Sequence, residues 1–93
     1  MKILAVCGSG LGTSFMVEMN IKQVLEELGV TGVEVSHSDL SSATPEDADV
    51  YFLAKDIAES GKHLGEIIVL ENIIDMDELR EKVKKLGEDK NLI

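Results

Sequence analysis

One cysteine stands at the start of a glycine-rich segment that could bind phosphate, Cys7-Gly8-Ser9-Gly10-Leu11-Gly12-Thr13-Ser14. Its three glycines allow a tight turn whose backbone N–H groups point inward, and three hydroxyl side chains add further donors. A helix predicted to follow would contribute unpaired N–H groups and the positive end of its dipole. These features predict a phosphate-binding loop (P-loop) with a reactive Cys7 thiolate at its rim. The alternative is a buried core cysteine beside an ordinary glycine turn.

Better-known phosphate loops do not fit this segment. A dinucleotide loop needs G-x-G-x-x-G, but its third glycine would fall on Thr13 or Phe15, and a triphosphate loop needs a lysine that is absent. A cysteine that opens a phosphate loop also resembles the low-molecular-weight tyrosine phosphatases, which place an arginine six residues later, where Thr13 stands. Without that bidentate contact we expect weak hydrolysis. The loop is therefore suited to hold and pass on a phosphocysteine.

The rest of the chain predicts a small doubly wound α/β domain that positions this loop. Apolar runs predict parallel strands over residues 2–6, 33–36, 49–54 and 67–70. Helices are expected over residues 13–28 and 75–86, with shorter ones at 44–47 and 56–60. Right-handed crossovers favour a four-stranded, flavodoxin-like (Rossmann-like) sheet of order 2-1-3-4, flanked by helices. Ligands bind such sheets where the winding reverses, between the first and third strands, and Cys7 ends the first.

Composition indicates which kinds of partner this domain can bind and in which compartment it works. The 93 residues predict a single domain, 1–93, with residues 88–93 as a frayed tail. A net charge of −9 and only three aromatic residues argue against nucleic-acid and membrane-surface roles. No apolar run approaches the ~20 residues of a membrane span, and a single cysteine suits the reducing cytoplasm. Two histidines and one cysteine without metal-ligand spacing predict no metal site and no other cofactor.

Residues 3–14, together with Met19 and Val24-Leu25, resemble the IIB component of the bacterial phosphoenolpyruvate-dependent sugar phosphotransferase system (PTS). The resemblance is to the lactose/ascorbate-type superfamily and is closest to ascorbate-specific IIB proteins. It implies that Cys7 accepts a phosphoryl group from a phosphohistidine of the IIA component. It further implies transfer to a sugar, ascorbate by similarity, bound to the membrane IIC component. Phosphate-binding groups would come from Gly8, Ser9, Gly10, Leu11, Gly12, Thr13 and Ser14.

A surface for docking those partners is expected beside the loop. Phe15 and Met19 fall opposite the apolar stripe of the first helix, and Met16 lies on its flank. Scattered exposed apolar residues are the simpler interpretation. Lys55 follows the third strand, where it could steady a phosphate or contact a partner.

Two further side chains near the strand ends have open roles. His37 is expected as a solvated loop histidine after the second strand, with a role as base or phosphate donor as the alternative. Asp56 is expected to cap a short helix, although a phosphatase would use it as a general acid. Two rival functions remain open, a phosphatase or reductase of the low-molecular-weight type and a non-catalytic anion-binding regulatory module.

Overall fold

The structure is a computed structural model that describes residues 1–8 and 13–93. Four parallel strands form one sheet in the order β2-β1-β3-β4, as the sequence predicts. Two 3-10 helices, Lys55–Ile57 and Glu59–Leu64, lie between β3 and β4. The other elements are β1 (Lys2–Cys7), α1 (Thr13–Glu27), β2 (Glu34–Asp39), β3 (Val50–Ala54), β4 (Ile67–Leu70) and α2 (Met76–Asp89).

The two faces of the sheet are covered by different kinds of structure. Both α-helices pack on one face, since their buried side chains form a single core with alternate residues of the strands. The opposite face is covered by the segment after β2 and by the 3-10 helices, which contribute Ala43 and Leu64 to a smaller core. β1 and β3 are the central strands of the sheet. Because both of their faces are covered, their residues are mostly apolar and buried. β2 is an edge strand in which only Val35 is fully buried.

Residues 44–47 form a turn rather than the helical turn that the sequence predicts. The buried Tyr51 hydroxyl donates to the carbonyl of Thr44 and accepts from the backbone N–H of Ala48, 3.0 Å away. The backbone N–H of Thr44 donates to the Asp47 carboxylate at 2.9 Å. These bonds satisfy the turn locally, so a helix start at Thr44 is wrong.

The chain between β3 and β4 also departs from the sequence prediction. Instead of one helix ending at Gly61, two 3-10 helices place Gly61 inside the second, where it is buried. A Cβ atom at Gly61 would lie 2.1 Å from Leu53 Cδ2, so glycine is required there for close packing. The backbone turns at Gly65, whose φ of 122° suits glycine.

α2 begins as predicted and ends later than predicted. Asp75 caps it by accepting hydrogen bonds from the backbone N–H groups of Asp77 and Glu78. The helix runs on to Asp89, so Gly87 lies within it and not beyond its end. The backbone N–H of Leu92 donates to the carbonyl of Gly87 at 2.7 Å, and the Leu92 side chain packs on the core. Residues 88 and 89 thus belong to α2, and fraying of residues 88–93 stays a prediction.

Candidate functional site

Cys7 ends the central strand β1 at the carboxyl edge of the sheet, between β2 and β3. Its side chain is buried. Gly8 follows, and a Cβ atom built there would lie 3.0 Å from Ile57 Cγ2. The chain thus leaves the sheet against the first 3-10 helix, and glycine makes that close approach possible. This is the point of winding reversal at which doubly wound sheets bind their ligands.

Ser14 joins the first turn of α1 to the cysteine. Its hydroxyl is buried, and the Cys7 thiol donates to Ser14 Oγ across 3.3 Å. Once the thiol is deprotonated, the same hydroxyl can rotate and donate to the thiolate. The first turn of α1 contains no acidic residue that would compete for its N–H groups. The sulfur therefore lies where a helix dipole and a hydroxyl both favour negative charge.

The predicted phosphate contacts fall partly outside the structure that is described. Of that set, Gly8 and Ser14 lie beside Cys7 as reported above. Thr13 begins α1. Four other predicted contacts lie outside the described residues, namely those of Ser9, Gly10, Leu11 and Gly12. The predicted contact of the Thr13 side chain also lies outside them.

The apolar side chains predicted to be exposed on α1 are exposed. Phe15 and Met19 retain 49% and 54% of their accessible surface, and Met16 retains 37%. Val17 and Ile21, on the opposite side, are buried in the core as expected. The exposed residues lie within two helical turns of Ser14. An apolar surface is therefore available next to the cysteine.

Glu18 contacts His37, a role that the sequence pattern does not indicate, and His37 is not in a loop as predicted. His37 lies within β2, and its Nδ1 atom is 2.6 Å from Glu18 Oε1. Its ring also meets Phe15 edge to face, with ring centroids 5.4 Å apart. Burial raises the pKa of Glu18, but hydrogen bonds from Lys22 and His37 together bring that pKa below its usual value. The signal that could have identified Glu18 is its place beside the buried stripe of α1, four residues before Lys22.

Lys55 and Asp56 lie at the carboxyl end of β3, on the other side of the site. Both are exposed and line a groove of about 520 Å³ between the ends of β3 and β4. Lys55 Nζ lies 3.7 Å from Glu71 Oε1. Asp56 is inside the 3-10 helix, and the position before that helix is Ala54, so the predicted capping role of Asp56 is wrong.

Within residues 1–8 and 13–93, no cluster of three His, Cys, Asp or Glu side chains could hold a metal ion. None of the helices in these ranges combines the length and the apolar character that crossing a bilayer requires.

Comparison with known sequences gives two matches. The model of the family described as "PTS system, Lactose/Cellobiose specific IIB subunit" matches residues 2–85. The ascorbate-specific PTS system EIIB component of Mycoplasma pneumoniae is 26% identical over 89 residues, which are 90% of this chain and 92% of that protein.

Comparison with solved structures gives the same fold in two kinds of protein. A lactose-specific IIB domain from Streptococcus pneumoniae aligns with a TM-score of 0.63 over 96% of this chain and 95% of that one. A mutant YwlE arginine phosphatase with a phosphorylated active-site serine aligns with a TM-score of 0.68 over the whole of both chains. Both are 17% identical to this chain, so these alignments establish the fold alone.

Proposed function

The chain belongs to the family of lactose/cellobiose-specific IIB subunits of the phosphotransferase system, and we propose that Cys7 is its phosphoryl acceptor. A IIB subunit is a phosphotransferase that relays phosphoryl groups in sugar transport. The observation that carries the assignment to Cys7 is its contact with Ser14 at the N-terminus of α1. A thiolate held there is an activated nucleophile.

In the proposed reaction, the Cys7 thiolate attacks a phosphoryl group carried by a histidine of the IIA subunit. The S–P bond forms as the N–P bond breaks, and the donor imidazole leaves with the electron pair. N–H groups at the start of α1 and the Gly8–Ser14 loop would bind the phosphoryl oxygens. In the second transfer, a hydroxyl of a sugar bound to the membrane IIC subunit would attack the phosphorus. The O–P bond forms as the S–P bond breaks, Cys7 leaves as the thiolate, and the hydroxyl proton passes to solvent.

The remaining features of the proposal concern partners and location. IIA and IIC would dock in turn on the surface formed by Phe15, Met16 and Met19, with Lys55 on the other side of Cys7. Ascorbate is the proposed sugar, because a relative of 26% identity is an ascorbate-specific component. We place the subunit on the cytoplasmic side of the membrane, where its one cysteine would stay reduced.

The test supplies phosphoenolpyruvate, the general phosphotransferases and a IIA subunit, and measures the intact mass of the chain. Wild type should gain one phosphoryl group, and Cys7→Ala should gain none. Alanine is the informative substitution, since a structural neighbour carries a phosphorylated active-site serine and serine could therefore accept phosphate. Ser38→Ala is the matched control, because Ser38 pairs with Val6 on the opposite face of the sheet.

The same samples separate the rival functions. Persistence of the mass gain in Cys7→Ala would overturn the assignment of Cys7. Rapid turnover of an aryl phosphate by wild type would favour a phosphatase, whereas Thr13 in place of an arginine leads us to expect little. Absence of any phosphorylation would favour a non-catalytic anion-binding module.

A further inference from the structure

A buried carboxylate lies one helical turn beyond the residue that contacts Cys7. Glu18 is only 7% exposed and follows Ser14 by four positions, so both side chains lie on one face of α1. Lys22 Nζ donates to Glu18 Oε2 at 2.8 Å, and His37 Nδ1 lies 2.6 Å from Glu18 Oε1. These hydrogen bonds outweigh burial and hold the pKa of Glu18 below its ordinary value. Glu18 is therefore negatively charged at neutral pH.

A second carboxylate lies beside the cysteine. Asp39 is the register partner of Cys7 in the neighbouring strand β2, so their side chains leave the same face of the sheet. Hydrogen bonds from Ser42, including its backbone N–H at 2.9 Å, lower the pKa of Asp39. One carboxylate in register with Cys7, and another one turn along α1 from Ser14, thus lie on the cysteine's face of the sheet in a chain of net charge −9. A phosphoryl group adds about −1.5 to −2 more, and a positive charge close by would offset part of it.

His37 is the side chain of this cluster that can gain that charge near neutral pH. Because β2 is an edge strand, the elements next to His37 are α1 and β1. On α1, Glu18 contacts His37 and is itself bound by Lys22. On β1, Ala5 is the register partner of His37, and Cys7 follows two residues later. Lys22 is already charged and contacts the far oxygen of Glu18. Histidine, in contrast, normally changes charge between pH 5 and 8.

The geometry also fixes which nitrogen receives the proton. With Nδ1 donating to Glu18, the additional proton must bind Nε2, on the side of the ring away from the carboxylate. The edge-to-face contact with Phe15 holds the ring in place beside the exposed surface of α1.

We propose that His37 takes up a proton when Cys7 is phosphorylated, so that an imidazolium anchored by Glu18 offsets part of the phosphocysteine charge. This inference rests on the proposed function of Cys7. The proton comes from solvent and returns to it when the phosphoryl group leaves, so the transfer step itself is unchanged. His37 acts only through its positive charge, and it forms no bond to phosphorus. By linkage, this proton uptake by His37 contributes a preference for the phosphorylated state at lower pH.

The direct test is an NMR measurement of the histidine ring protons with and without phosphorylation of Cys7. Phosphoenolpyruvate in excess, the general phosphotransferases and a IIA subunit maintain the phosphorylated form. We expect the His37 ring protons to change towards their protonated positions on phosphorylation at a fixed pH near neutrality. His63, in the second 3-10 helix, is the internal control and should not move.

A second measurement uses His37→Asn, whose side-chain nitrogen takes the place of Nδ1 and can still donate to Glu18 but cannot take up a proton. Between pH 8 and pH 6, the phosphorylation equilibrium of wild type should improve about threefold more than that of the variant. If Cys7 is phosphorylated and the His37 ring protons stay in place, or if both proteins respond equally to pH, this inference is overturned alone. If Cys7 gains no phosphoryl group, the proposed function fails and this inference fails with it.

Discussion

The Ser14 hydroxyl and the Cys7 sulfur lie 3.3 Å apart, which links the first turn of α1 to the last residue of β1. Both side chains are buried, so the contact is shielded from competing water. It aligns the sulfur with the N-terminus of the helix, where negative charge is favoured. The state of Cys7 that this arrangement stabilises is the thiolate, which is the form that can accept a phosphoryl group.

Ser14→Ala should therefore make Cys7 less reactive. Loss of a hydrogen bond to a charged sulfur costs about 1.5–3 kcal/mol, which corresponds to a thiolate fraction lowered roughly tenfold or more. The measurement is the rate of alkylation by iodoacetamide between pH 5 and pH 10. The variant should be slower near neutral pH and approach wild type at high pH. Ser38→Ala should follow wild type throughout, and an unchanged profile for Ser14→Ala would contradict the role of Ser14.

Substitution of Phe15 or Met19 should impair partner docking without altering the cysteine. Each side chain is about half exposed, and truncation of an interface anchor typically costs more than 1 kcal/mol. We expect Phe15→Ala and Met19→Ala to raise the KM for phosphorylated IIA several-fold while the alkylation rate of Cys7 stays unchanged. Ile74→Ala is the control, since Ile74 is exposed beyond β4 at the far edge of the sheet. Equal KM values for all the variants would remove this surface from the docking model.

Gly8→Ala should destabilise the site through a clash with the first 3-10 helix. The new methyl group would lie 3.0 Å from Ile57 Cγ2, closer than ordinary contact, and overpacking typically costs about 1–3 kcal/mol. Urea unfolding of Gly8→Ala, Ile57→Ala and the double variant measures the coupling. Because Ile57→Ala removes the opposing methyl group, the double variant should be more stable than the sum of the two losses predicts. Strict additivity would show that the close approach of Gly8 carries no energetic weight.

The sheet order could be predicted because the signals for its strands are local. Apolar runs mark the central strands β1 and β3. β2 was predicted to end at Ser36 because it is a polar edge strand, yet its ladder with β1 continues to Asp39. His37 was therefore assigned to a loop, and its pairing with Glu18 was missed.

The other errors arise from contacts that the local residue patterns do not encode. The hydroxyl of Tyr51 stabilises the turn at Thr44, which otherwise carries the residue pattern of a helix start. Packing of Ile93 against Gly87 allows a glycine inside α2, where a local rule predicts the helix to end. In both cases tertiary contacts override a sound local preference.

The loop after β4 is held to α2 by one side chain that makes the fold sensitive to acid. Glu78 accepts a hydrogen bond from Lys82 Nζ at 2.7 Å. It also accepts from the backbone N–H groups of Glu71 and Asn72, at 2.7 and 2.9 Å. The hydrogen bond from Lys82 is the largest influence, and with the backbone bonds it lowers the pKa of Glu78 to about 2 despite partial burial.

Glu78→Gln should remove stability that depends on pH. Because the folded-state pKa is depressed, the carboxylate stabilises the fold above its ordinary pKa of 4.5, and this contribution is lost as pH falls towards 2. We expect the variant to lose about 1–2 kcal/mol at pH 7 and to show a flatter decline between pH 4.5 and pH 2. Urea unfolding across this range measures both effects. Glu81→Gln, an exposed substitution on the same helix, should leave the decline unchanged, and a decline of equal slope in Glu78→Gln and wild type would refute the prediction.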